Sequence, residues 1–194
     1  MERELTPTES LKLIETMIAQ AKRSFHRQSY YFLLWGVLLI AAMLFNHFMV
    51  ISGSDIGGFA WPVIGIGGGI LSFLHGTKEN STKAVPTAMD RVIMWLWVAF
   101  VVTMLTTMFF GGYSGHAMQI GSIIVLTGLP TFVTGQLMRF RPLIFGGVLF
   151  WVLGAASYFT PMSVTVWLYI AAIFFGYLVP GYLLKRQEDG LRTA

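Results

Sequence analysis

The chain has no cysteine among its 194 residues. Disulfides, thiolate nucleophiles and thiolate metal ligands are therefore excluded. Charged residues are also scarce, because Asp, Glu, Lys and Arg make up 11% of the chain, against about 25% in an average soluble domain. Hydrophobic residues make up 55%, and the mean hydropathy is +0.68. This composition excludes a soluble globular enzyme, a disordered tail and a coiled coil, and it indicates a polytopic membrane protein.

Six apolar stretches are long enough to cross a bilayer core of about 30 Å, which requires roughly 17–25 residues per helix. We predict spans at Tyr30–Val50, Phe59–Gly76, Val92–Gly111, Ala117–Met138, Leu143–Thr160 and Ser163–Leu184. The predicted fold class is all-α: one six-helix transmembrane bundle over 30–184, preceded by segment 1–29 and followed by a cytoplasmic tail, 185–194. The odd-numbered spans are faintly similar and each even-numbered span carries one proline, which suggests three tandem hairpins. Chance similarity between apolar helices is the alternative.

The basic residues predict the orientation in the membrane. All 13 Lys and Arg residues fall at one end of the predicted spans, and the positive-inside rule makes that end cytoplasmic, with both termini inside. The first apolar run opens only at Tyr30 and is too long for a cleavable signal sequence, so we expect it to remain as a span. Candidates for contact with anionic lipid headgroups are Arg23, Arg27, Arg139, Arg141, Lys185 and Arg186. Lipid contact accounts for the net charge of +4, and no nucleic-acid partner is predicted.

The segment before the first span has the pattern of an amphipathic helix over about Pro7–Arg27. Thr6-Pro7-Thr8-Glu9 matches a capping box with proline at the first helical position. Apolar residues then recur at helical spacing, with charged residues largely opposite them. We expect this helix to lie on the inner leaflet or against the bundle. It either steers the first span into place or binds a regulatory partner.

No Asp, Glu, Lys or Arg lies at mid-membrane depth in any predicted span. Because ion-coupled transporters and proton relays place ionisable groups there, we expect no proton coupling. A GxSG tetrapeptide at 112–115 is similar to the nucleophile motif of rhomboid proteases, but the sixth predicted span has no histidine to act as its base. His47, Asp55 and His116 fall on the outer face as weak metal candidates, without a spacing typical of ligands. We therefore predict neither an enzyme nor a cofactor.

Mildly polar residues and glycines mark the interiors of the predicted helices. The polar ones either line a narrow solute path or make hydrogen bonds to backbone carbonyls and between helices. The candidate path residues are Thr103, Thr107, Thr127, Thr131, Thr134 and Gln136. Glycines spaced by four or seven predict close helix packing and favour a homo-oligomer. They are Gly65, Gly69, Gly121, Gly128, Gly135, Gly147 and Gly154.

Several segments at the predicted helix ends carry a family resemblance that covers nearly the whole chain. They are LTPTESL at 5–11, YFLLWG at 31–36, FAWP at 59–62, RPLIFGG at 141–147 and VPGYLLK at 179–185. The chain resembles a family of small uncharacterised bacterial inner-membrane proteins with six spans and an N-terminal amphipathic helix. The resemblance implies a location in the bacterial cytoplasmic membrane, and it transfers no activity and no functional residue.

Two functions agree with this sequence. The first is binding or transport of a small apolar, amphipathic or uncharged solute, which includes lipid-like molecules, without proton coupling. It is favoured by the absence of ionisable groups within the spans. The alternative is a non-catalytic scaffold or regulatory subunit that recruits a partner through the N-terminal helix, and it is favoured by the charge on the cytoplasmic face.

Overall fold

A computed structural model describes residues 28–80, 88–111 and 116–192, and the elements in these ranges are helical, with no strand among them. The helices are α1 (Gln28–Ile51), α2 (Ala60–Asn80), α3 (Ala88–Gly111), α4 (His116–Leu137), α5 (Arg141–Ser157), α6 (Met162–Ile173) and α7 (Val179–Arg192). A 3₁₀ turn, Asp55–Phe59, precedes α2, and a π-helical turn, Phe174–Leu178, joins α6 to α7. The predicted amphipathic helix Pro7–Arg27, with Arg23 and Arg27, and the tetrapeptide at 112–115 lie outside the described residues.

Five helical stretches are long and apolar enough to cross a membrane, as in a multi-pass membrane protein. They are Gln28–Ile51, Asp55–Lys78, Met89–Phe110, Gln119–Leu137 and Met162–Gly190. The fifth predicted span, Leu143–Thr160, corresponds to α5, which begins earlier and ends at Ser157 after 17 residues. At 1.5 Å per residue α5 rises about 25 Å, which is less than the bilayer core of about 30 Å.

The boundaries of α5 follow from residues at its two ends. Pro142 stands in the first turn, where its missing N–H deprives the helix of no hydrogen bond. At the other end, residues 158–160 form a turn before Pro161, which takes the extended conformation and serves as the N-cap of α6. Hydropathy alone extended this span to Thr160, because the aromatic residues of the turn are as apolar as those of the helix.

The buried core lies where α1, α4, α5 and the joined helices α6 and α7 meet. Its fully buried apolar side chains include Met43, Ile124, Leu143, Phe150 and Ala172. The outer helices α2 and α3 pack mainly against α1 and α4, respectively. Most of their large apolar side chains are exposed, as expected for surfaces that face lipid rather than water.

Helices α4 and α5 form the closest antiparallel pair, and glycines lie at their contact. A Cβ at Gly128 would come within 2.9 Å of the Gly147 carbonyl oxygen, and one at Gly135 within 2.7 Å of the Ile144 backbone nitrogen. Gly121 lies against Ser157, and Gly154 lies against Val125. These positions have no room for a side chain, so the two backbones approach closely along most of α5.

The predicted Gly65/Gly69 pair on α2 behaves differently. A Cβ at either residue would have no atom within 4 Å, so neither glycine mediates a contact within the described part of the chain. Two other glycines of α2 do meet α1: Gly68 faces the side chains of Trp35 and Leu38, and Gly76 faces the hydroxyl of Tyr31. Within the described residues, α2 therefore packs on α1 through a different side from the one that carries Gly65 and Gly69.

The π turn ends at Leu178, two residues before Pro180. A proline lacks the N–H that would bond four residues back, and its ring clashes with the carbonyl at that position, here Gly176. A wider turn over Phe174–Leu178 relieves this clash. It also brings Gly176 against the ring of Phe150 and places the Gly176 carbonyl 2.8 Å from where a Cβ of Gly146 would be.

Candidate functional site

The threonines predicted to line a solute path lie on two different surfaces. On α3, Thr103 is exposed and Thr107 half-buried, and their hydroxyls donate to the carbonyls of Ala99 and Thr103 at 2.8 and 2.9 Å. Gln136 on α4 is also exposed. These bonds to the preceding turn of the same helix satisfy the hydroxyls locally, so the α3 pair and Gln136 do not form a continuous lining with the buried threonines of α4.

Thr127, Thr131 and Thr134 are buried on the inner face of α4. Thr127 and Thr131 each donate to a carbonyl one turn back at 2.7 Å. The Thr131 side chain also interacts with the hydroxyl of Tyr177, which the π turn directs into the core. The Thr134 hydroxyl is fully buried and has no hydrogen-bond partner among the described residues.

Aromatic rings surround this hydroxyl cluster. The ring of Tyr177 makes edge contacts with Phe32 and Phe150 at centroid distances of 5.5 and 5.1 Å, and it lies 6.4 Å from Trp97. Tyr169 contacts Trp61 edge-on at 6.0 Å. The packed rings and the hydrogen bonds of Thr127 and Thr131 make this region a polar core that specifies packing. It is filled with side chains rather than open to a solute.

An open space lies instead on the outside of α5, in an apolar groove between α5 and the π turn with the start of α7. The groove has a volume of about 440 Å³. Its lining is entirely apolar and consists of Pro142, Phe145, Gly146, Val148, Leu149, Val152, Phe175, Val179 and Pro180. Gly146 belongs to this lining, and its lack of a side chain lets the α5 backbone approach the backbone of Gly176.

Sequence reasoning missed this groove, although a signal for it was present. Pro142 and Gly146 are four residues apart on α5, and Gly176 and Pro180 are four apart on the last span. A glycine and a proline one helical turn apart have little side chain, so they leave a shallow face on the helix. Two such faces on antiparallel neighbouring helices leave a groove between them. The signal is visible only after the two helices are known to be neighbours.

The cytoplasmic end of the bundle, as predicted from charge, carries four of the predicted headgroup contacts. Arg139 is exposed in the turn before α5, where it has a φ of 51°, and Arg141 is the exposed first residue of α5. Lys185 and Arg186 are exposed on α7. The groove begins at Pro142, directly beside Arg141.

A buried carboxylate connects the two ends of the described chain. Glu188 on α7 is 7% exposed. Its Oε2 accepts a hydrogen bond from the Ser29 hydroxyl at 2.5 Å, and its Oε1 accepts one from the Ser29 backbone N–H at 3.4 Å. A carboxylate at the positive end of a helix is favourable, so Glu188 stabilises the start of α1 and fixes it against the end of α7.

The three predicted metal candidates lie on different elements. His47 packs edge-on against Trp167 at 6.0 Å, and Asp55 is exposed in the 3₁₀ turn. His116 is the first residue of α4. Over residues 28–80, 88–111 and 116–192, no group of three or more His, Cys, Asp or Glu is arranged to hold a metal ion.

Comparisons of the chain with protein-family models, curated proteins and solved structures each find no match.

Proposed function

We propose that the chain is a six-span bacterial inner-membrane protein that binds or transports a small apolar, amphipathic or uncharged solute without proton coupling. The observation that carries this proposal is the groove of about 440 Å³ beside α5, with its entirely apolar lining. Ligand sites commonly have volumes of 300–1,000 Å³ and are lined mainly by apolar side chains. Such a lining favours hydrocarbon and offers nothing that would bind an ion.

The contact between Ser29 and Glu188 supports an even number of crossings. Ser29 is the second residue of α1, and Glu188 lies near the end of α7. A hydrogen bond between them requires the start of α1 and the end of α7 to be on the same side of a membrane. Five crossings would separate them, and the contact therefore favours α5 as a sixth crossing despite its 17 residues. The distribution of Lys and Arg makes the shared side cytoplasmic. The resemblance to bacterial inner-membrane proteins favours that membrane.

The chemistry of the buried polar residues supports the absence of proton coupling. Among the described residues these are Ser29, Thr127, Thr131, Thr134, Ser157, Thr165 and Glu188. All but one are hydroxyl residues, whereas a proton relay across a membrane is built from ionisable groups. The exception, Glu188, lies at the cytoplasmic end and accepts hydrogen bonds from Ser29.

Native mass spectrometry of the protein released from nanodiscs tests this function and also gives the oligomeric state, which we propose to be a homo-oligomer. We expect the wild type to retain an apolar or amphipathic molecule. Val152→Trp adds bulk within the groove and should reduce retention. Val63→Trp is the matched control, because Val63 is 67% exposed on α2, away from the groove.

Two outcomes would contradict the proposal. If the wild type retained no such molecule, or only bulk lipid that Val152→Trp did not displace, a scaffold that recruits its partner through the N-terminal segment would be favoured instead. If both tryptophan variants reduced retention equally, the bound molecule would not occupy the groove.

A further inference from the structure

The dimensions of the groove match one leaflet of a bilayer. Its lining on α5 runs from Pro142 to Val152, a rise of about 15 Å at 1.5 Å per residue. The hydrocarbon core is about 30 Å thick, so the groove extends from the cytoplasmic boundary to roughly the midplane. Phe145 and Val152 on its rim are 72% and 58% exposed, and the groove therefore opens sideways, toward lipid. A single acyl chain of the inner leaflet has this length, position and direction of entry.

Each wall of the groove ends in an arginine on the same helical face. Arg141 precedes Phe145 by four residues on α5, and Arg186 follows Val179 by seven residues on α7. With 3.6 residues per turn, Arg141 lies about 40° from Phe145 around α5 and Arg186 about 20° from Val179 around α7, whereas Pro180, the other groove residue of α7, lies about 120° from Arg186. Both arginines are exposed.

The two arginine side chains lean toward a common level. Side chains tilt toward the N-terminus of their helix, and the two helices are antiparallel. Arg141 therefore leans away from the membrane, whereas Arg186, which lies further into the cytoplasm, leans back toward it. The tilt therefore reduces the difference in level between the two guanidinium groups.

The start of α5 adds positive potential at the cytoplasmic end of the groove. Its N-cap, Phe140, makes no side-chain hydrogen bond to the helix. A helix N-terminus favours an anion, although Pro142 has no N–H and the Leu143 and Ile144 N–H groups already bond the Phe140 carbonyl. Guanidinium groups bind phosphate oxygens in bidentate fashion. Of the two acidic residues that follow Arg186, Glu188 is turned toward Ser29 and Asp189 is exposed.

We infer that this groove binds one anionic phospholipid of the inner leaflet, with an acyl chain along the α5 wall and the phosphate between Arg141 and Arg186. The inference rests on the proposed function and names the ligand class of the same site. An apolar groove alone would accept any hydrocarbon. The arginine on each wall makes an anionic headgroup the complementary one.

Nanodiscs that contain equal parts of phosphatidylglycerol and phosphatidylcholine, with identical acyl chains, test the headgroup preference. We expect native mass spectrometry to show phosphatidylglycerol retained by the wild type in preference to phosphatidylcholine. The double variant Arg141→Gln/Arg186→Gln should reduce that preference by about tenfold or more, because each charge-assisted hydrogen bond contributes at least that factor.

A matched double variant separates a built site from general attraction to a basic surface. Arg139→Gln/Lys185→Gln also removes two positive charges, but from positions next to Arg141 and Arg186. Lys185 points about 120° away from Val179 around α7. We expect this variant to keep the preference. Equal losses in the two double variants would overturn the inference, because they would show diffuse electrostatics.

The failure of this inference can be distinguished from the failure of the proposed function. If the wild type retained both lipids equally and Val152→Trp displaced both, the groove would bind acyl chains without reading the headgroup. The inference would then be wrong, while the proposed function would stand. If the wild type again showed no preference between the two lipids, and Val152→Trp left the amount of retained lipid unchanged, the inference and the proposed function would both be wrong.

Discussion

The contact between α4 and α5 gives a sharp prediction about a single methyl group. Gly147→Ala would place a Cβ 2.6 Å from the Cβ of Phe132 and 2.7 Å from its Cα and backbone nitrogen. A Cβ essentially never lies within 3.0 Å of a non-bonded atom, and two of these three partners are backbone atoms that cannot rotate away. The helices must therefore separate by several tenths of an ångström, and the close contacts around Gly128 and Gly154 are loosened along with them.

The expected cost is that of overpacking a tightly packed interior, about 1–3 kcal/mol in the free energy of unfolding. Gly65→Ala on α2 is the matched control, since a Cβ there has no atom within 4 Å. It should leave stability unchanged or raise it by up to about 1 kcal/mol, because alanine is the better helix former. Gly147→Ala should thus be less stable than Gly65→Ala.

Unfolding in mixed micelles, titrated with a denaturing detergent and followed by tryptophan fluorescence, measures both variants. Trp151 packs against Phe132 at a ring-centroid distance of 5.1 Å, so its emission reports directly on this interface. Equal stabilities for Gly147→Ala and Gly65→Ala would refute the reasoning, because they would mean that α4 and α5 do not approach as closely as described.

Two further sets of substitutions test the buried polar groups by the same unfolding measurement. Ser29→Ala should lower stability by about 1–3 kcal/mol, because the buried carboxylate of Glu188 loses its hydroxyl donor; an unchanged value would mean that the carboxylate does not depend on it. Thr134→Val should be neutral or raise stability by about 1 kcal/mol, since it removes a buried hydroxyl without a partner. Thr131→Val should instead lower stability by about 1–3 kcal/mol, because it removes the hydroxyl that interacts with the Tyr177 hydroxyl. A loss of stability in both threonine variants would contradict this reasoning.

Apolar runs predicted where most of the long helices lie, because the length of such a run depends only on local composition. They did not predict the end of α5 at Ser157, since the turn residues after it are equally apolar. They also could not tell which side of α2 would be covered, because lipid and protein are both apolar surroundings. Gly65 and Gly68 are therefore equivalent in hydropathy, although only Gly68 meets another helix.

The groove could not be predicted from the sequence for a related reason. It depends on which helices are neighbours, and no local pattern encodes the pairing of α5 with the last span. The sequence predicted lipid contacts at five arginines and one lysine, without indicating which of them lie close together. Only the antiparallel packing of the two helices brings Arg141 and Arg186 to one end of the same surface.

The π turn has a consequence for the rotational phase of the last helix. One extra residue in a single turn advances everything after it by about 100° relative to an uninterrupted α-helix. The phase that results points Glu188 at Ser29 on one side of α7 and Arg186 along the groove on the other. A one-residue deletion within Phe174–Leu178 would therefore misdirect both side chains at once without altering either. A deletion that straightened this helix would therefore break the contact between Glu188 on α7 and Ser29 on α1.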